Sequence, residues 1–231
     1  MSKVKYLGVI IIVIIFAIIT VPNLINRIIN GQIVESNRAS ISTPLSYIKV
    51  NNEPRKVPDF LFYNQDSLMI TNEDFKNKIY VAEFFFTRCP SICPIMNKNM
   101  KRIENKFGKR EDFGIASFTI DPENDRPHVL KSYAESYEVF SNNWHFLTGN
   151  KSDVYSLANK GFNIFASINP DVAGGFEHQG YFALIDKKGY IRSRVDKFGN
   201  PIVYYLGIDQ QDLETQGTDM IIEDISKLLK E

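Results

Sequence analysis

Apolar residues are distributed along this chain in two distinct ways. Residues 6–21 form one uncharged and almost wholly apolar run, whereas from residue 58 onwards shorter apolar segments alternate with polar turns. The first pattern favours a membrane-spanning helix, because a segment that is apolar on every face suits lipid better than a protein core. The second pattern predicts a globular α/β domain built from buried strands and amphipathic helices.

The charges beside the apolar run predict its orientation. Lys3 and Lys5 precede the run, which favours a cytoplasmic N-terminus and export of the residues that follow. A cleaved signal peptide is the alternative, but the run is longer than a typical signal core and no small-x-small pair follows it. We predict a transmembrane anchor at residues 1–22, a polar tether at 23–57 and an extracytoplasmic domain at 58–231, on the periplasmic side of a bacterial inner membrane.

Within the domain, the pattern predicts strands and helices in alternation. A hairpin at 60–70 precedes a capping box at Thr71, and a continuously apolar core strand follows at 78–86. Helices are predicted at 93–107, 127–137, 152–160 with Ser152 as cap, and 218–229; further strands are predicted at 113–120, 144–147, 162–168, 181–185 and 190–194. Residues 169–177 are predicted to form a loop that ends at His178. This order is that of a thioredoxin-like fold, with a central mixed sheet flanked by helices.

Composition and motifs exclude several classes of function. The net charge is zero and no basic block stands out, so the chain lacks the electrostatic footprint of a nucleic-acid-binding protein. Two cysteines are too few for a disulfide framework. There is no Ser-His-Asp order, no P-loop and no dinucleotide fingerprint. The two cysteines are therefore the strongest candidates for functional residues.

Cys89 and Cys93 lie directly after the predicted core strand, where a helix begins. The helix dipole at that position stabilises thiolate, the form that binds metal or attacks a disulfide. A structural disulfide is disfavoured, because so short a loop contributes little entropy. The usual redox motif has two residues between its cysteines, whereas this pair has three. That spacing places the sulfurs about one helical turn apart on one face, where they can chelate a soft ion and leave a side open for a third ligand.

Other candidate ligands are the methionines and histidines. Met96 and Met100 fall on the same predicted helix face as Cys89 and Cys93. Their spacing is that of apolar residues packed on a sheet, which favours a place in the hydrophobic core over metal binding. His128 is predicted at the surface, and His145 partly buried with hydrogen bonds. His178 lies between a Gly-rich loop and a core strand whose start can lie beside the cysteine turn. Two thiolates and one imidazole suit Cu(I), or Zn(II) or Cu(II) with a fourth ligand.

Two aspartates follow the next predicted strand. Asp121 and Asp125 suit turn and helix-start positions, where an Asp side chain caps backbone N–H groups. Their loop also leaves the carboxyl edge of a strand, where sites in α/β folds gather, so a role near the cysteines is the alternative.

Four segments together resemble one family. They are CPSICP at 89–94, DPENDRP at 121–127, WHFLTG at 144–149, and His178 with YFALID at 181–186. The chain resembles the Sco/SenC proteins, which are thioredoxin-fold, membrane-tethered, copper-binding assembly factors of cytochrome c oxidase. The resemblance runs from about residue 58 to residue 189. It departs from the family pattern at Arg126 and at Phe176 and Glu177, and the tail at 204–208 lacks a clear family signature.

The resemblance implies that Cys89, Cys93 and His178 are copper ligands, and that Asp125 acts behind them or tunes their redox state. It implies a copper chaperone, not an enzyme, which delivers copper to the dinuclear site of the oxidase. Its partners would be the copper-site subunit, other copper chaperones or thiol-disulfide reductases, together with the membrane. One alternative is a thiol-disulfide oxidoreductase that uses the same two cysteines. A peroxide-reducing relative is a further alternative, because Thr87 and Arg88 precede Cys89.

Overall fold

The structure is a computed structural model that describes residues 13–18, 20–22, 44–196, 198–211 and 215–231. The chain divides into two compact units, residues 1–38 and 39–231. In the first unit, residues 13–18 and 20–22 are helical. Much of the predicted anchor, and the predicted tether as far as residue 43, lie outside the described residues. Within the described ranges, no helix is both long and apolar enough to cross a membrane.

The second unit alternates strands and helices. Its strands are β1 (Ser46–Tyr47), β2 (Lys49–Val50), β3 (Glu53–Pro54), β4 (Leu61–Tyr63), β5 (Met69–Thr71), β6 (Ile79–Phe85), β7 (Phe113–Thr119), β8 (Trp144–Leu147), β9 (Ala166–Ile168), β10 (Phe176–His178), β11 (Tyr181–Ile185), β12 (Ile191–Ser193) and β13 (Tyr205–Leu206). Its α-helices are α1 (Ile92–Phe107), α2 (Pro127–Ser136), α3 (Lys151–Ser156) and α4 (Gly217–Leu228). A 3₁₀ turn at Asn72–Phe75 and a π-helical segment at Leu157–Phe162 complete the elements.

One mixed sheet organises this unit. Its strands lie in the order β1, β12, β11, β6, β7, β8, and β13 also pairs with β11. β6 is parallel to β7, and β7 is parallel to β8. β11 is antiparallel to β6, and β12 and β1 continue that antiparallel side. The predicted α/β class with a central mixed sheet is confirmed. β1 lies in the segment that the sequence assigned to the tether.

The core is built around the two central strands. All seven residues of β6 and all seven of β7 are buried, as expected for strands covered on both faces. Aromatic rings fill the layer beside them; Phe84 stacks on Phe118 with ring centroids 5.4 Å apart. Burial of each such side chain stabilises the fold by about 1.5–3 kcal/mol. These buried strands therefore fix the positions of the residues that follow their carboxyl ends.

Several local predictions hold. Thr71 caps the 3₁₀ turn in a complete capping box. The helix after the cysteines begins at Ile92, so Pro94 falls in its first turn. The helix ends at Phe107, directly before Gly108.

Other local predictions are wrong at element ends. Asn150 caps α3, not Ser152, because the helix begins one residue earlier and Asn150 accepts a hydrogen bond from the Ser152 N–H. The helix then continues as a π-helical segment to Phe162, so the strand predicted from residue 162 starts only at Ala166.

The loop predicted at 169–177 is also too long. Gly174 and Gly175 have positive φ angles and turn the chain tightly. The chain then re-forms a strand in which Phe176 pairs with Ile168 and His178 pairs with Ala166. His178 therefore lies on a strand rather than at the end of a loop.

The C-terminal segment, which carried no family signature, is locked to the sheet by buried charges. Arg194 Nε donates to Asp224 Oδ2 at 2.6 Å, and the Tyr205 hydroxyl donates to the same oxygen at 2.9 Å. Arg194 also donates to Glu223, and Lys227 to Asp224, both at 2.9 Å. These contacts join α4 to β13 and to the chain just after β12.

Candidate metal centre

The two cysteines follow the carboxyl end of β6. The chain turns after Phe85, and the Cys89 N–H donates to the carbonyl of Phe86 at 3.2 Å. α1 then begins at Ile92, so Cys93 lies in the first turn of that helix. Because β6 is buried along its whole length, both sulfurs are held at the edge of the sheet where sites of α/β proteins gather.

His178 reaches the cysteines from the hairpin of β9 and β10. The tip of this hairpin packs against the cysteine turn at Gly174, where a Cβ atom would lie 2.9 Å from the ring of Phe86 and 3.2 Å from Pro90. Only glycine allows so close an approach with a φ of +90°. The Phe86 ring also meets the His178 ring edge-on, with centroids 5.9 Å apart. These contacts hold the imidazole over the thiols.

The three predicted ligand residues come together. Their donor atoms all lie within 4.8 Å of one another. The Cys93 Sγ is 3.2 Å from His178 Nε2, and the Cys93 N–H donates to Cys89 Sγ at 3.4 Å. Both cysteines are free thiols. Cys89 is 8% exposed and Cys93 is 0% exposed, so solvent reaches part of the first residue and none of the second.

The two thiols differ in acidity. The pKa of Cys89 lies well below its usual range, chiefly because the Cys93 thiol donates a hydrogen bond to it. Burial opposes this shift, whereas His178 and the backbone amides of Cys93 and Ser91 add to it. The pKa of Cys93 is raised, because its proton is held by Cys89 and the group is buried. The arrangement thus supplies one stabilised thiolate and one protonated thiol, and binding a metal through both releases the second proton.

Asp125 lies behind the cysteine turn rather than among the donors. Its carboxylate accepts hydrogen bonds from the Thr87 N–H at 3.1 Å and the Thr87 hydroxyl at 2.5 Å, and it also accepts one from the Thr119 hydroxyl. Burial raises the pKa of Asp125, while these hydrogen bonds act to lower it. Since Thr87 is two residues before Cys89, Asp125 fixes the start of the turn that carries the first sulfur.

Arg88 is also engaged beside the turn. Its Nη2 lies 2.8 Å from Asp121 Oδ2, and the Asp121 side chain is almost fully buried. Thr87 and Arg88 therefore each hold an aspartate. The peroxide-reducing alternative requires these two side chains to contact one reactive cysteine. Their contacts with Asp125 and Asp121 do not support that alternative.

The remaining candidates fall where the sequence predicted. Met96 and Met100 are fully buried and belong to the hydrophobic core. His128 is exposed. His145 is partly buried, and its Nδ1 shares a hydrogen bond with Asn64 at 3.3 Å. Burial lowers the pKa of His145, in keeping with a neutral ring in the core.

Sequence reasoning missed Glu83, which lies in the middle of β6 and is fully buried. Its Oε1 accepts a hydrogen bond from the Ser117 hydroxyl at 2.7 Å, while Oε2 has no hydrogen-bond partner among the described residues. Burial raises the pKa of Glu83 to about 7. A lone acid in a strand treated as continuously apolar was the available signal.

The chemistry of the donors fits copper. Thiolates are soft ligands that select Cu(I), and imidazole suits copper in either oxidation state. Two sulfurs and one nitrogen within 4.8 Å of one another can contact a single ion with only small side-chain movements. The predicted metal, copper, therefore matches the residues that the fold assembles.

This fold and cluster define an α/β domain with a candidate site for a soft metal, and comparison with known proteins identifies its family. The SCO1/SenC family model matches residues 49–210, and the chain belongs to this family. The SCO1 protein homolog of Bacillus subtilis is 35% identical over 153 residues, which cover 65% of this chain and 75% of that protein.

Solved structures share the fold. BsSco, a member of the Sco family of cytochrome c oxidase assembly proteins with a disulfide switch, matches with a TM-score of 0.63 at 30% identity, over 80% of this chain and 98% of its own. Yeast Sco1 with copper bound matches with a TM-score of 0.56 at 21% identity, over 77% of this chain and 90% of its own. At that identity the second likeness concerns the fold alone.

Proposed function

We propose that this chain is a membrane-anchored copper chaperone that binds one copper ion through Cys89, Cys93 and His178. The observation that carries the proposal is the convergence of these three donor atoms within 4.8 Å, from two separate parts of the chain. Hydrogen bonds from Cys93, His178 and the Ser91 amide lower the pKa of Cys89, and a bound copper ion would add a positive charge beside this thiolate. Family membership supports the same assignment.

The copper is cargo in this proposal, and its destination is the dinuclear copper site of cytochrome c oxidase during assembly. Support comes from the family and from the related BsSco, which belongs to the oxidase assembly proteins. Other copper chaperones or thiol-disulfide reductases would supply the metal or keep the thiols reduced. Both thiols must be reduced to bind copper, so the redox state of the pair gates loading.

The proposal places the domain outside the cytoplasm. Residues 1–22 would anchor the chain, residues 23–57 would lead away from the membrane and join the sheet through β1, and the domain at 58–231 would face the periplasm. The apolar run at 6–21 and the lysines before it support this topology.

Substitution of His178 tests the proposal. We expect His178→Ala to lower the affinity for copper about 100-fold. Residues that only hydrogen-bond a metal ligand cost about 10-fold to 100-fold, and the loss of a ligand should cost at least as much as the largest of these. Competition between the reduced protein and a chromophoric Cu(I) chelator measures the affinity. His128→Ala, at an exposed histidine outside the cluster, is the matched control. Parent-like affinity in His178→Ala would show that the three-ligand site is wrong.

A thiol-disulfide oxidoreductase is the second candidate, and the unequal acidity of the two thiols favours it. A stabilised Cys89 thiolate would attack a substrate disulfide, and Cys93 would then resolve the mixed disulfide and release the reduced substrate. This function needs both cysteines but not the imidazole as a ligand. His178→Ala would therefore retain disulfide exchange while it loses copper, which separates the two functions in one variant.

A further inference from the structure

A cleft leads from the surface to only part of the cluster. It has a volume of about 250 Å³ and lies between the cysteine turn and the hairpin of β9 and β10. Its apolar walls include Phe86, Ile92, Val172 and Phe176. This volume is below that of sites for drug-sized ligands, so the cleft suits a single side chain at a time.

The cleft reaches two of the three donors. Cys89 and His178 line it, whereas Cys93 does not and is completely buried. His178 Nε2 lies 3.2 Å from Cys93 Sγ, and the Phe86 ring, which also lines the cleft, meets the imidazole edge-on. A ligand that arrives from solvent therefore meets Cys89 or His178 first. It can reach the fully buried Cys93 only after the groups that cover this residue have moved.

Resting on the proposed copper chaperone function, we infer that this cleft is the route of the incoming ligand, so that Cys89 and His178 release the metal before Cys93. In each step a bond from copper to the incoming donor forms, and the bond to Cys89 Sγ or His178 Nε2 breaks. The oxidation state of copper does not change. A proton lost by an incoming thiol passes to the leaving group or to water. Cys93 is the last ligand to hold the ion.

The route predicts which substitutions slow transfer without weakening the site. Val172 lines the cleft and is only half-buried. The Val172→Trp variant should therefore fold normally, and its larger side chain should obstruct the opening of the cleft. Ala173→Trp, at an exposed residue lining the same cleft, is a second obstruction. Ile168→Trp is the matched control, since Ile168 is exposed on the same hairpin but does not line the cleft.

The experiment loads the full chain with Cu(II) in detergent and mixes it with excess free histidine, a small copper ligand. Decay of the thiolate-to-Cu(II) absorption band gives the release rate. We expect each cleft variant to load one copper per chain and to release it about tenfold more slowly, a barrier increase of about 1.4 kcal/mol. Ile168→Trp should release copper at the parent rate.

Alkylation of the same chain, loaded instead with Cu(I), tests the order of release. With the Cu(I)-loaded chain, iodoacetamide present during removal of the metal should modify Cys89 ahead of Cys93. The ratio of the two rates, measured by peptide mass spectrometry, should exceed the ratio in the metal-free chain about tenfold, a barrier difference of about 1.4 kcal/mol. A ratio equal to or below that of the metal-free chain would overturn the inferred order. Parent-like release from both cleft variants, each fully loaded, would overturn the route. Failure of the parent chain to load copper would instead overturn the proposed function.

Discussion

The cluster beneath α4 and the cluster at the end of β6 are both buried and polar, but their charges are paired differently. Asp224 is held by Arg194, Lys227 and Tyr205, so its negative charge is fully opposed. Cys89, Cys93 and His178 contact one another, and the Cys89 thiolate is stabilised by hydrogen bonds. The first cluster is complete by itself and fixes the fold. The second has the composition of a site that a ligand completes.

The largest effect is expected at the paired cluster. Asp224→Ala would leave Arg194 buried without its main partner, and we expect the free energy of unfolding to fall by about 3–5 kcal/mol. Urea unfolding measures the change. Asp219→Ala is the control on the same helix, because its ion pair with Arg102 is exposed on both sides and is worth about 0–1 kcal/mol. Equal losses in the two variants would contradict the contrast between buried and exposed pairs.

Glu83 gives the next largest effect, because it is a buried carboxyl without a counter-charge. A pKa that is higher in the folded than in the unfolded chain makes stability fall as pH rises, since the folded state then binds more protons. With the folded pKa at about 7, this loss develops between about pH 4.3 and about pH 7 and is on the order of 3 kcal/mol in total.

Glu83→Gln should remove this part of the pH dependence, so that the variant exceeds the parent in stability at about pH 8 and not at about pH 4. Urea unfolding at both pH values measures it, with the exposed Glu135→Gln as control. The account of Glu83 would be contradicted if the stability difference between Glu83→Gln and the parent were the same at both pH values, or no larger than the difference that Glu135→Gln shows.

At the open cluster the effect should appear in copper binding rather than in stability. Cys93→Ser removes a soft donor, and we expect the affinity for Cu(I) to fall about 100-fold, equivalent to about 2.7 kcal/mol. Thermal unfolding of the metal-free variant should stay close to that of the parent. Met96→Leu is the control, since Met96 is a buried residue of the same helix that belongs to the hydrophobic core. An equal loss of affinity in Met96→Leu would extend the site along the helix.

The smallest effect is expected at Asp125, which touches neither sulfur. Asp125→Ala would leave the Thr87 N–H and two hydroxyl groups without their acceptor, and the cysteine turn would lose its fixed start. We expect copper affinity to fall about tenfold, the lower end for residues behind a ligand. Asp171→Ala, at an exposed loop residue, is the control. Unchanged affinity in Asp125→Ala would limit Asp125 to a role in folding.

The sequence predicted the central strands well, because β6 and β7 are largely apolar segments with turn residues beyond them. The ligand residues were within reach for a related reason. Cys89 and Cys93 follow such a strand directly, and His178 precedes another strand, so the pairing of β11 with β6 brings them together. Asp125 was placed by family resemblance, and its contact with Thr87 depends on a loop that no periodicity describes.

Other features depended on contacts between distant residues. The π-helical extension of α3 and the short strand β10 follow from packing and glycine turns rather than from an apolar period. Glu83 was overlooked because a single acid does not disturb a hydrophobic pattern. The lock formed by Arg194 and Asp224 joins residues 30 positions apart, and charged residues in a sequence ordinarily indicate a surface.

Copper analysis of the purified, reduced chain tests the central claim most directly. We expect one copper ion per chain, and for the Cu(II) form a thiolate charge-transfer band that disappears in Cys93→Ala. No stoichiometric uptake of copper under reducing conditions, or a band that persists without Cys93, would contradict the assignment of this cluster as a copper site.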